Sequence, residues 1–146
     1  MRTKKIARKL CGLLMAGAVV MCMSYTTTGK NHVIGEWSAP ASADATVNPL
    51  KGDIASVAAG KKIYTQLCVV CHGDKGKGDG IAGASLNPHP ADHSLPKFQK
   101  QSDGAIFWKI STGRPPMASY EKILTPTQRW QVVNYLRTLS AAPKHS

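Results

Sequence analysis

Five residues constrain this chain more than any others: Cys68-Val69-Val70-Cys71-His72, the head of the stretch "CVVCHGDKGKGDG". Four cysteines occur in all, but Cys11 and Cys22 lie in a leader-like N-terminal segment, so Cys68 and Cys71 are the thiols left to the folded part. A disulfide across so short a loop would be a poor staple. A structural zinc site needs four ligands at paired spacing; there is no second cysteine pair, and His89 with His93 is only a loose match. A thioredoxin-like dithiol opens a helix inside a βαβ pattern, whereas this pair closes a helical pattern with no strand beside it. The run "GDKGKGDG" lacks both the pattern and the preceding strand of a phosphate loop. Cys-x-x-Cys-His as an attachment sequence for haem c accommodates every feature. Both thiols add to vinyl groups as thioethers, and His72 sits under the iron as proximal ligand. Three residues make about one helical turn, which sets both sulfurs along one porphyrin edge.

The N-terminus reads as a targeting segment over 1–23. "MRTKKIARK" is a basic region and "LCGLLMAGAVVMCM" an apolar run too short to span a bilayer comfortably. The chain is therefore expected to be exported, with an uncleaved anchor as the alternative. "VVMC" also makes Cys22 a candidate for lipidation and membrane attachment, although Met21 stands where such a signal has a small residue. A soluble periplasmic protein and a membrane-anchored one facing the periplasm both stay open. Residues 24–50, rich in Thr, Ser, Ala and Pro, read as a flexible linker or draped extension, with Val33, Ile34 and Trp37 as a small apolar patch. The leader holds five of the 19 Lys and Arg and no acid, which leaves 14 cations against 8 Asp and Glu. That moderate excess is scattered and not interleaved with aromatics, which argues against nucleic acid and suits an acidic protein partner.

The compact domain is expected over 51–143, and its class is all-α. In "DIASVAAGKKIYTQLC", Ile54, Val57, Ala58, Tyr64 and Leu67 fall on one helical stripe with Gly60, whose use would be the close approach of another helix. "SDGAIFWKISTG" predicts a shorter helix capped by Ser102 or Asp103, facing Ile106, Phe107 and Ile110 inward and closed by Gly113. "TPTQRWQVVNYLRTLS" predicts a third, with Thr125 as cap, Pro126 in the first turn and Gln128 completing a capping box. Its buried stripe is Val132, Val133, Leu136 and Leu139, with Tyr135 on the flank. Three modest helices and long Gly/Pro-rich loops make a thin core, which a bound porphyrin would fill.

"GKKIYTQLCVVCHGDKGKGDG", "GAIFWKISTGRPPM" and "RWQVVNYLRTL" together resemble a class I c-type cytochrome over roughly residues 51 to 140. The resemblance implies one covalent haem c in a small cytochrome c fold. It pairs Gly60 and Tyr64 on the first helix with Val132 and Tyr135 or Leu136 on the last. It also implies a proline carbonyl, from Pro88 or Pro90 in "LNPHPAD", holding the second ring nitrogen of His72, and Met117 as distal iron ligand. Met117 is the one methionine outside the leader, and Pro115 and Pro116 stiffen its approach. The alternative is a core-filling Met117 with His89, His93 or His145 in its place. Gly76, Gly78 and Gly80 would serve turns near the haem. Arg114 is a candidate for pairing with a haem propionate.

A haem ligated by histidine and methionine has no open site and moves single electrons. The function expected is an electron carrier, not an enzyme, between larger redox proteins with acidic docking surfaces, steered by Lys75, Lys77, Lys97, Lys109, Lys122 and Arg114. The alternatives are an electron-entry subunit of a dehydrogenase or oxidase complex, and a five-coordinate ligand-binding haem protein.

Overall fold

Two helices of this chain approach until backbone meets backbone, and that crossing organises the computed structural model, which describes residues 36–140. The helices, in order, are α1 (Ala41–Asp44), α2 (Ile54–Leu67), α3 (Val69–His72), α4 (Pro96–Gln99), α5 (Asp103–Thr112) and α6 (Pro126–Arg137), with a 3-10 turn at Gly83–Ser85. Among the described residues there is no strand, and the only β feature is an isolated bridge between Arg114 and Met117. The chain is all-α, as its patterning predicts.

At the crossing of α2 and α6, a Cβ added to Gly60 would lie 1.9 Å from the Gln131 carbonyl oxygen. No residue but glycine fits there. One turn on, Tyr64 is buried and its ring lies 5.0 Å from that of Tyr135. Val132 and Val133 on α6 are also buried, and Tyr64, Ile106 and Val133 are the largest side chains fully inside. Each buried aliphatic side chain of this kind contributes about 1.5–3 kcal/mol. The Val57, Ile63 and Leu67 side chains of α2 pack against this core, and Leu139 closes it beyond the end of α6.

The stripe expected on α2 is rotated. Ile54 is 84 % exposed and Ala58 is exposed, while Ser56 is buried. The reason is polar: Asn134 on α6 donates to Ser56 Oγ at 2.8 Å and to the Leu50 carbonyl at 2.6 Å, turning that face of α2 inward. Asn134 Oδ1 accepts in turn from Asn48 at 2.7 Å, so both its donors and its acceptor are used.

Helix ends follow their caps. Asp53 accepts from the Ala55 amide, Ser102 from the Ala105 amide, and Thr125 with Gln128 forms a complete capping box. Trp130, absent from the expected stripe of α6, is buried and stacks on Phe107 at 4.0 Å.

Of the linker expected over 24–50, residues 24–35, including Val33 and Ile34, lie outside the described residues, as do the leader and Cys22. Residues 36–50 are mostly exposed but are tied to the domain at a few points. Ala43 and Asn48 are buried, Asn48 donates to Asp103 at 2.9 Å, and Ser102 donates to Asp44 at 2.6 Å. Trp37 lies 6.3 Å from Trp108 on α5, with the Lys109 ammonium 5.6 Å and the Arg114 guanidinium 5.3 Å from its ring. Its patch therefore serves cations as much as apolar groups.

Two predictions follow from this packing. Gly60→Ala forces a methyl against backbone that cannot yield, so it should destabilise by about 1–3 kcal/mol or more. Urea unfolding reads the change, and a midpoint equal to wild type would contradict the crossing. The second concerns Asp103, whose carboxylate pairs with Arg137 at 2.6 Å. Burial pushes this carboxyl up, but hydrogen bonds from Asn48 and Arg137 and the arginine's charge outweigh burial and hold it below the usual range. A depressed carboxyl stabilises the fold above its unfolded value of about 3.9, and that contribution is lost as pH falls through the folded value. Asp103→Asn should thus be less stable than wild type by about 1–3 kcal/mol at pH 7, with the gap narrowing below about pH 4. A gap that stays constant in urea unfolding across that range would refute the assignment.

Candidate functional site

Helix α2 does not stop at the cysteines; it bends through them. Cys68 joins α2 to α3 with φ −111° and ψ −33°, and its carbonyl accepts from the amides of Cys71 at 3.2 Å and His72 at 2.9 Å. Cys68, Cys71 and His72 thus share one helical turn, and both cysteines are free thiols. Gly73, with φ +75°, ends the turn. The buried Tyr64 hydroxyl donates to the Gly73 carbonyl at 2.8 Å, so the residue that marks the α2–α6 crossing also anchors the end of the turn.

The loop after His72 folds back on it. The Gly78 amide donates to the His72 carbonyl at 2.9 Å and the Ala82 amide to that of Val70 at 2.9 Å. Gly80 lies against the turn so closely that a Cβ would meet the Val69 and Val70 carbonyl oxygens at 2.5 Å. Gly76 and Gly78 hold positive φ. These glycines form the wall of the site.

The His72 ring is set by two neighbours. Its Nδ1 faces the Ala91 carbonyl at 3.4 Å. Neither Pro88 nor Pro90 supplies this contact, a correction to the sequence-based expectation. The Pro90 carbonyl lies 3.1 Å from His89 Nδ1 instead, and the chain reaches His72 one residue later. The second neighbour is His93, whose ring lies 4.3 Å from that of His72 at 24°. Burial lowers the His72 value, with the Ala91 contact opposing it. Burial also lowers His93, to about 3, with His72 adding to the effect. Both rings are neutral near pH 7, the state in which imidazole binds a metal.

His93 is badly placed to be a second iron ligand. A ligand opposite His72 would face its nitrogen end-on across the metal, and these rings lie face to face. His89 is exposed, and His145 lies outside the described residues.

Met117 sits in a tied loop. Its amide donates to the Arg114 carbonyl at 2.8 Å, and the Arg114 amide donates back at 3.0 Å, across a turn made by Pro115 and Pro116. Downstream, the Tyr120 amide donates to the Ile110 carbonyl at 3.1 Å and the Tyr120 hydroxyl to the Leu67 carbonyl at 3.2 Å. Leu67 immediately precedes Cys68, so Tyr120 fastens the methionine segment to the cysteine turn. Sequence reasoning missed it; the signal available was that the last carbonyls of α2 need donors.

The cations fall into separate groups. Lys75 and Lys77 border an open groove with Val70, Asp79 and Ile81 beside the cysteine turn. Ile81 is 92 % and Val70 48 % exposed there. Lys109 and Arg114 gather on Trp37, and Lys97 pairs with Glu36 at 3.0 Å in an exposed bridge of little worth. Lys122 is exposed.

Burial and the neighbouring Cys71 push the Cys68 thiol up to about 12, opposite to what a reactive dithiol redox centre requires. The family model for cytochrome c matches residues 57–140. The chain belongs to the cytochrome c family. That membership brings covalently bound haem c and haem-based electron transfer. Among solved structures, a chain of the Kuenenia stuttgartiensis reducing HAO-like protein complex Kustc0457/Kustc0458 is similar, with 31 % identity and a TM-score of 0.58. The similarity covers 64 % of this cytochrome and 47 % of that chain, so the cytochrome spans about half the length of that relative. The KustC0563 c-type cytochrome is similar at 28 % identity and TM-score 0.49, over 56 % of this chain and 98 % of that one. Cytochrome cL of Methylophaga aminisulfidivorans is similar at 20 % identity and TM-score 0.49, over 62 % and 59 %. No curated protein sequence matches the cytochrome significantly.

The residues fit haem c. The donor set combines two unpaired thiols on one turn with a neutral imidazole whose Nδ1 faces a carbonyl, leaving Nε2 for the iron. Gly80→Ala should distort this turn and lower the covalent haem per unit of protein several-fold, read by haem staining of a denaturing gel. Wild-type haem content would show that Gly80 is not part of the cradle.

Proposed function

We propose that this cytochrome c domain is a one-haem, one-electron carrier working outside the cytoplasm. Cys68 and Cys71 form the thioethers, His72 is the proximal ligand and Met117 the distal one. The observation that carries the reading is the tied loop at Met117: the only methionine among the described residues is held by a reciprocal backbone pair and fastened by Tyr120 beside Cys68. Haem c bound there supplies an iron couple that changes by one electron, and methionine ligation favours the ferrous form. The protein's own part is to hold His72 neutral, to keep Met117 from drifting, and to exclude water with Tyr64, Phe98 and Leu136. Arg114 either meets a propionate or serves Trp37; its position over Trp37 at 5.3 Å supports the second role.

Electrons would pass at the cysteine turn, where the exposed Val70 and Ile81 lie between Lys75, Lys77 and Asp79. Apolar contact with a basic border suits brief docking to an acidic redox partner. Lys109 and Arg114 are engaged on Trp37, and of the remaining cations Lys75 and Lys77 border this face, so the steering role centres on those two. The similarity to a chain of a reducing HAO-like complex supports a second reading, in which the domain is the haem subunit of one assembly. Export by the segment 1–23 completes the proposal, the domain being either soluble in the periplasm or held to the membrane through a lipid on Cys22.

Met117→Ala should abolish the weak sulfur-to-iron band in the red of the ferric spectrum, lower the reduction potential and admit carbon monoxide to the ferrous iron. An unchanged potential and a low-spin spectrum would mean another sixth ligand. Partner association should weaken as salt rises past 0.1 M, where screening acts within about 10 Å. Charge removal at Lys75 and Lys77 should flatten that dependence; rates insensitive to salt in the wild type would make both lysines bystanders.

A further inference from the structure

The position that most exceeds what a haem carrier requires is His93. It is 6 % exposed and packed among the rings of Phe98, Tyr64 and His72, where an aliphatic side chain would fill the space without burying a polar ring. Its Nδ1 has no hydrogen-bond partner among the described residues. A buried ring with an unsatisfied nitrogen is a poor core filler, so its shape must serve something else.

What it touches is His72. The two rings lie 4.3 Å apart and 24° from parallel, a stacked pair. The other contact on the His72 ring, from Nδ1 to the Ala91 carbonyl, is 3.4 Å long and falls outside the usual range of about 2.7–3.2 Å for such a bond. A bond that weak restrains rotation about the Cβ–ring axis poorly. A flat ring at stacking distance restrains it directly, because turning the His72 plane would drive its edge into His93.

His93 can do this because it is itself immobilised on every side. Phe98 lies 4.4 Å from it and Tyr64 6.3 Å, edge-on. Its amide donates to the Gly76 carbonyl at 2.6 Å, and its own carbonyl accepts from Gln99 Nε2 at 2.7 Å. The loop makes room for it at Gly76, where a Cβ would come within 3.1 Å of His93 Cβ and 3.3 Å of Nδ1. Gln99 also donates to the Leu136 carbonyl at 2.9 Å, which references His93 to α6.

We infer that His93 is a positioning residue that fixes the plane of the His72 imidazole through ring stacking, and with it the orientation of the proximal ligand about the iron. The inference rests on His72 being that ligand. The orientation of an axial imidazole sets the rhombic splitting of ferric low-spin iron, so electron paramagnetic resonance of the haem-loaded protein reads it without any activity measurement.

The test compares His93→Leu, which fills the space without a flat face, with His93→Phe, which keeps one. His93→Leu should retain haem and fold but broaden and shift the low-spin signal, and should lose low-spin iron at lower urea than wild type. His93→Phe should restore a narrow signal near the wild-type position. His93→Val takes the place of His93→Leu if that variant yields too little loaded protein. A wild-type signal in His93→Leu would overturn the inference, and so would equal broadening in the Leu and Phe variants, since volume alone would then explain both. His72→Ala separates the underlying reading: if it keeps the low-spin signal, His72 is not the ligand and both statements fall. If it loses the signal while His93→Leu matches wild type, only the role of His93 falls.

Discussion

The contact between the Cα of Gly60 and the Gln131 carbonyl is the constraint on which the rest of this domain depends. It brings α2 and α6 to the distance at which Tyr64 can slide under Tyr135 and still send its hydroxyl to Gly73. The end of the cysteine turn is therefore referenced to the helix crossing through one side chain. Asn134 makes the same crossing specific by satisfying Ser56, Leu50 and Asn48 at once. A packed helix pair without that polar register could rotate, and the cysteines would rotate with it.

From this frame the two residues proposed as iron ligands are held in different ways. His72 leaves the frame on a helical turn and is flanked by the Ala91 carbonyl and the His93 ring. Met117 lies on a loop without helix, yet that loop is fastened downstream at Tyr120, whose amide donates to Ile110 of α5 and whose hydroxyl donates to Leu67 at the end of α2. Trp37, arriving from the N-terminal side, covers Arg114 at the base of that loop. Little of this rigidity comes from surface charge. The exposed Lys97–Glu36 pair is screened, whereas Arg137 meets Asp103 partly buried and also donates to the Gln99 and Gln101 carbonyls.

What was legible in the sequence was local. A capping box, a proline in the first turn and a serine cap define α5 and α6, because the caps satisfy donors within three residues and the proline removes one that would have no partner. The cysteine–histidine spacing is likewise a property of one turn. What was not legible needed distant partners. Ile54 and Ala58 belong to a good apolar stripe, but Asn134, about 80 residues away, chose the face carrying Ser56. Residues 36–50 look like linker by composition, and only the side chains of Asp103 and Asn134 give Asn48 a reason to be buried. The carbonyl facing His72 was off by one residue because Pro90 turns to His89. His93 looked like a rival ligand, and nothing in a one-dimensional string separates a ring beside His72 from a ring opposite it.

The claim at the centre of this account is that Cys68, Cys71 and His72 form a haem attachment turn and not a dithiol or a metal knot. Mass spectrometry of the intact protein, followed by peptide mapping, tests it most directly. One haem should be added per chain, borne on the peptide that contains both Cys68 and Cys71, with neither thiol open to alkylation. Two alkylatable thiols, or a disulfide between them, on a folded and helical chain would contradict it.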